Sequence, residues 1–261
     1  MHKITRMFHQ TEGLSIDKAF LIYLLENHQF SYKEEIKNFR NQKITGYVFK
    51  NLIRAKMTKI DGFNNDIWRV TSTDINLGYK FENCYYIPAI TDSFSICYLN
   101  MLQTDLYITD LITGCSFYII NDTSFKESIA THINWKTLKS PGQKNKSFGD
   151  INVIGHIIEK HTSGTADFIG FDEDGYLQIE NEIIKYLNKR FFSRNVSINQ
   201  DYRIGTMESP IQVIFYENTL FVFVTATTNE RMGVSFKKYS FLLEVQDTNS
   251  FKIVDSLCHL N

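Results

Sequence analysis

Tyr107-Ile-Thr-Asp-Leu-Ile-Thr-Gly-Cys-Ser-Phe-Tyr-Ile-Ile-Asn121 joins two runs of β-branched and aromatic residues through a single glycine, Gly114. Such side chains suit a pleated, half-buried surface, so each run predicts a strand. Gly114 has no Cβ and accepts the sharp backbone that a turn between strands requires. The reading is strand, turn, strand, with Cys115 as the first side chain after the turn.

The same texture spreads outward. Cys84–Ile90, Phe94–Leu99 and Thr131–Lys136 read as strands, and so do Pro210–Glu217, Thr219–Thr227 and Ser240–Val245. Glu217-Asn218 reads as a hairpin turn. Asp167–Ile179 reads as a second hairpin around Asp172-Glu-Asp-Gly. Ile151–Lys160 suits either a helix or a strand, and Asn181–Arg190 an amphipathic helix. Ser140-Pro-Gly-Gln-Lys-Asn-Lys has loop chemistry. Before Ile67 the texture is helical. Residues 14–30 place Ile16, Phe20, Leu21, Tyr23, Leu24 and Leu25 at helical spacing behind Ser15 as a cap. Tyr32–Asn41 and Thr45–Met57 read as two further helices. The expected fold is α+β with a strand-dominated core, a β-sandwich or mixed sheet flanked by helices. Residues 1–65 form a helical N-terminal extension in this reading, and 66–261 a catalytic domain.

Bulk composition narrows the function. The 261 residues suffice to bury a sizeable core, and 43% hydrophobic with 14% aromatic content argues against disorder. With 28 basic and 29 acidic side chains the net charge is −1, which predicts no nucleic-acid partner. Lys136, Lys139, Lys144 and Lys146 read as a solvated loop. No run of eighteen apolar residues predicts a membrane span, and the first residues lack the apolar core of a cleavable secretory signal. Four cysteines without a CxxC pair predict reduced thiols and a cytosolic working compartment.

The chemistry centres on Cys115. A cysteine after a glycine turn presents its sulfur beside free main-chain N–H groups, and those at Gly114 to Ser116 suit the oxyanion of an attacked amide. The thiol needs a neighbouring base. His132 lies 17 residues on, on the next predicted strand. Thr109 lies six residues before Cys115, a spacing that favours a shared strand face. Its hydroxyl or carbonyl is placed to orient the imidazole. Asn134, two residues past His132, is a candidate for binding a substrate amide or for capping a strand. A Gly-Cys within an apolar strand also reads as plain core packing.

Thr109-Asp-Leu-Ile-Thr-Gly-Cys115 followed by Ala130-Thr-His-Ile-Asn134 resembles the Cys-His protein glutamine deamidases over about 30 residues. That superfamily includes the chemoreceptor glutamine deamidases, the catalytic domain of cytotoxic necrotizing factor toxins, and lethal-factor toxins that inactivate a translation initiation helicase. Their nucleophile follows a Leu-Ser-Gly-Cys-like motif, here Ile112, Thr113, Gly114 and Cys115, with Thr113 in place of serine. The resemblance implies a bacterial toxin or effector that hydrolyses a glutamine side chain in a target protein through a cysteine thioester. Implied partners are a protein substrate such as a host GTPase or translation factor. No cofactor or metal is implied. The implied setting is the bacterial cytoplasm, with delivery into a target cell without a cleavable signal. The alternatives are a non-catalytic binding, adaptor or immunity protein on the same fold, or a cysteine protease.

Two other motifs read as structural. His156-Ile-Ile-Glu-Lys-His161 departs from the His-x-x-Glu-His zinc pattern by one residue, which on a helix turns His161 off the face of His156 and Glu159. Asp172-Glu-Asp-Gly lacks the acid that a calcium loop needs at Asn181. Cys84, Cys97 and Cys258 read as inert thiols.

Overall fold

The protein is described by a computed structural model over residues 2–9, 14–15, 30–37, 43–51, 53–60, 67–71, 81–99, 106–124, 127–134, 147–191, 196–230 and 235–259. Among these residues two mixed sheets carry the fold, as an α+β, strand-dominated chain demands. The larger has ten strands. Its path runs β1 (Leu14–Ser15), β5 (Ile67–Thr71), β4 (Ile53–Ile60), β6 (Phe81–Ile87), β8 (Leu106–Thr109), β13 (Gln212–Tyr216), β14 (Thr219–Glu230), β15 (Ser235–Asp247), β16 (Ser250–His259), with β12 (Ser197–Ile198) on β14. The smaller runs β11 (Ala166–Phe171), β9 (Ser116–Asp122), β10 (Ser128–Asn134), β7 (Ser93–Leu99), β3 (Lys43–Phe49), β2 (Tyr32–Lys37).

The sheets face each other. Inward side chains of the larger sheet, among them Tyr107, Phe215, Val222 and Phe241, join Cys97, Phe117, Ile119 and Ala130 of the smaller in one buried cluster. Helix α3 (Glu173–Phe191) adds Tyr176, Ile179, Ile183 and Leu187 to it. Helix α1 (His2–His9) covers the outer face of the larger sheet with Ile4, Met7 and Phe8. Helix α2 (Ser147–His161) covers the outer face of the smaller with Val153, Ile154 and Ile157. A strand enclosed on both faces needs apolar residues at every position rather than at alternate ones. That accounts for Phe117-Tyr-Ile-Ile120, whose odd positions join the inner core and even positions the cluster under α2.

Several expectations are corrected. Tyr32–Asn41 is no helix: its described part is the edge strand β2, paired antiparallel to β3. Lysines and glutamates imitate a helix there, but charge is also how an exposed sheet edge is protected. Thr45–Met57 falls on β3 and β4, which are strands. A break near residue 65 is absent, because β3 pairs parallel with β7 and β4 antiparallel with β6. The helix expected over 14–30 lies outside the described residues apart from the strand Leu14–Ser15 and Phe30, as does the lysine-rich loop. Ile151–Lys160 is helical within α2.

Asp167–Ile179 is strand then helix, not a hairpin. Asp172 caps α3, its Oδ1 accepting from Asp174 N at 2.9 Å and lying 3.4 Å from Gly175 N. Four residues with turn chemistry are equally an N-cap followed by an acidic first turn. The hairpin at Glu217-Asn218 is as expected, with φ of 48° and 60° carrying β13 into β14.

Candidate functional site

The chain crosses from one sheet to the other between Thr109 and Ser116. Thr109 ends β8 in the larger sheet, and Ser116 begins β9 in the smaller. Ile112 pins the crossing midway through paired main-chain bonds with Ile211, of 2.8 and 3.1 Å. Gly114 makes the final bend at φ +78°, where any side chain is strained. Thr109 and Cys115 therefore do not share a face, as the six-residue spacing suggested. They line the interior from opposite sheets.

His132 meets Thr109 across that interior. It pairs with Phe117 in the β9–β10 register, and Ile133 with Ser116. Cys115 is thus the diagonal neighbour of His132 on the inner face, a separation that side chains can span. His132 is fully buried and Cys115 is 6% exposed.

Thr109 Oγ1 lies 2.7 Å from His132 Nδ1 and donates to the Ile87 carbonyl at 2.8 Å. A hydroxyl has one hydrogen. With it committed to Ile87, the oxygen accepts from Nδ1–H, and Nε2 is left as the basic nitrogen. Nε2 is buried and has no hydrogen-bond partner, the Cys115 sulfur included. No hydrogen bond therefore joins the sulfur and the imidazole. Burial alone holds the imidazole neutral, with its pKa pushed down to about 3.

Three features around this pair were not legible in the sequence. Cα pairing between β10 and β7 stops after Ala130 and resumes at Ile133, and in the gap the His132 amide donates to Ser95 Oγ at 3.2 Å. From α3, the Tyr176 hydroxyl donates to the Cys115 carbonyl. Burial, then Cys115 and Glu173, raise the Tyr176 pKa, so the phenol stays a donor. Glu173 stands beside the turn, its Oε1 3.4 Å from where a Cβ on Gly114 would lie. Serine at 95 and tyrosine at 176 look like any strand or loop residue, so only the pairing of distant strands reveals them.

Ser116 points away from the interior and gives its hydroxyl to Asp150 of α2. Only its main chain faces the turn at Gly114. Asn134 is half-buried at the end of β10, beside the pairing of Ile133 with Ser116. Cys84 and Cys97 are buried and Cys258 exposed. Burial raises the Cys97 thiol far above its ordinary range. His156 and His161 come together on the other face of the smaller sheet, with Glu34 rather than Glu159. No helix among the described residues is long and apolar enough to cross a membrane. Compared with known proteins, the chain matches no family model and no curated protein.

Proposed function

We propose that the chain is a cysteine-dependent amidohydrolase acting on a glutamine side chain of a protein, with Cys115 as nucleophile, His132 as base and Thr109 as the residue that orients the base. The observation that carries this reading is the double role of the Thr109 hydroxyl. By donating to Ile87 it obliges His132 to place its proton on Nδ1, leaving Nε2 basic on the face that carries Cys115. A core histidine needs no such arrangement, whereas a general base does.

In this mechanism His132 Nε2 takes the thiol proton as the sulfur attacks the carboxamide carbon. Main-chain N–H groups from Gly114 to Ser116 hold the oxyanion. The imidazolium returns the proton to the leaving nitrogen, ammonia departs, and water hydrolyses the thioester to glutamate. Because burial disfavours the imidazolium, the resting histidine is neutral. Delivery as a bacterial effector belongs to the same reading and rests on the motif alone.

A second reading, a binding protein that retains the fold, is favoured by the complete enclosure of His132. Mass spectrometry of proteins from cells expressing the wild type or Cys115→Ser separates the two. Gln-to-Glu conversion confined to the wild type supports the hydrolase. Identical peptide masses alongside retained partner capture support the binding protein. Alkylation tests need a Cys258→Ser background, since Cys258 reacts through exposure alone. Against Cys84 and Cys97, Cys115 is expected to react fastest.

A further inference from the structure

We propose that Glu34, His156 and His161 bind one divalent transition-metal ion of the zinc class, fastening the edge strand β2 to helix α2. Their donor atoms all lie within 4.8 Å of one another. Both imidazole Nε2 atoms converge on the same carboxylate oxygen, His156 at 2.8 Å and His161 at 2.9 Å. Two imidazoles and a carboxylate are the donor set that zinc-class ions take with a fourth, open position. In a tetrahedral site neighbouring donors stand about 3.3 Å apart. Glu34 has to withdraw by roughly half an ångström, a side-chain adjustment within the reach of one rotamer.

The surroundings suit an ion. Tyr98 OH lies 2.7 Å from His161 Nδ1. A hydroxyl that both donates and accepts serves either tautomer, so His161 can present Nε2–H to Glu34 without metal and a lone pair to the ion with it. The side chains of Glu34 and His156 are 19% and 20% exposed, leaving solvent a route to the fourth position, while His161 is 2% exposed and anchors the base of the site. Five-residue spacing sets two helical positions about 140° apart. His161 nonetheless reaches the site because it is the last residue of α2, and the ring centroids lie 6.2 Å apart. Glu34 completes the set from a segment 122 residues from His156 in the chain.

The test uses the full chain after chelation and dialysis. Zn2+ is titrated by calorimetry, and Co2+ is followed by visible absorption, which reports four-coordinate nitrogen and oxygen ligation without any variant. One equivalent of ion, a four-coordinate cobalt spectrum and a Tm rise of roughly 5 °C or more at saturation are expected. Glu34→Gln and His156→Gln each weaken binding at least tenfold, while His9→Gln leaves it unchanged. An octahedral cobalt spectrum, the absence of saturable binding, or equal affinity in wild type and both site variants overturns the proposal.

Discussion

Thr109 carries the sharpest test at the scale of one residue. Thr109→Val keeps the shape and removes the oxygen, so Nδ1–H loses its acceptor and Nε2 its assured lone pair. Turnover is expected to fall about ten- to hundredfold, with Thr109→Ser close to wild type. Equal activity of the valine and serine variants, measured as kcat for deamidation of a glutamine-containing substrate, rules the hydroxyl out. His132 supplies a second test that needs no substrate. Its folded pKa of about 3 lies below the ordinary histidine value, so the unfolded chain binds the proton more readily. Its contribution to stability is therefore intact above about pH 6.5 and erodes as the pH falls toward 3. Between pH 7 and 5 the loss is about 2 kcal/mol. Urea unfolding at the two pH values checks this: His132→Gln should lose distinctly less, and an identical loss in both proteins refutes the assignment. Thr109, Gly114, Cys115 and His132 could be singled out beforehand because a Gly-Cys turn between apolar strands leaves a local mark. Ser95 and Tyr176 leave none, since their roles depend on strands and a helix that meet only in space.

Among the elements, α3 helps to hold the turn at Cys115. Tyr176 reaches the Cys115 carbonyl from its first turn and packs against Gly205, which sits at φ +82°. A Cβ on Gly205 would lie 2.3 Å from Tyr176 Cδ2. Gly205→Ala thus meets both backbone strain and a collision, and is expected to destabilise by about 1–3 kcal/mol. Tyr176 is the flexible partner and moves first, so Cys115 alkylation rates should change more than an ordinary loop substitution allows. Unaltered melting and alkylation would show that the contact is not tight. Asp172→Ala removes the α3 cap and is expected to cost about 1 kcal/mol, read as a lower urea midpoint. The elements that sequence reading mistook share one cause. Tyr32-Lys-Glu-Glu-Ile-Lys and Asp172-Glu-Asp-Gly are dominated by charge, and charge suits a helix, a guarded sheet edge, a turn or a helix cap alike.

For the molecule as a whole, the described elements before residue 61 pack into or against both sheets. Sequence texture predicts that a fragment from residue 61 onward keeps the thiol competent. Against this, β3 lies between β7 and the edge strand β2, and β4 lies between β5 and β6. Deleting residues 1–60 strips Val48 and Phe49 from the core and α1 from the larger sheet. The fragment is expected to be insoluble or to lack a cooperative melt in near-UV circular dichroism. A soluble fragment with a sharp transition would restore the two-part organisation. The α+β class and strand-rich core were legible from the apolar β-branched runs, but the order of strands was not. Partners such as β6 with β8 and β8 with β13 are set by long-range packing, on which local composition is silent.

Neighbouring residues at the bend are held from opposite directions: the carbonyl of Cys115 by Tyr176, 61 positions later, and the hydroxyl of Ser116 by Asp150, 34 positions later. Each tether forms only once its own helix has docked, α3 for Tyr176 and α2 for Asp150. Closing such long loops is slow compared with forming hairpins like β13–β14. On refolding, then, bulk fluorescence and circular dichroism should recover first, and the thiol should acquire its native alkylation rate only afterwards. If Cys115 is the nucleophile we propose, its competence arrives as a final kinetic phase of assembly.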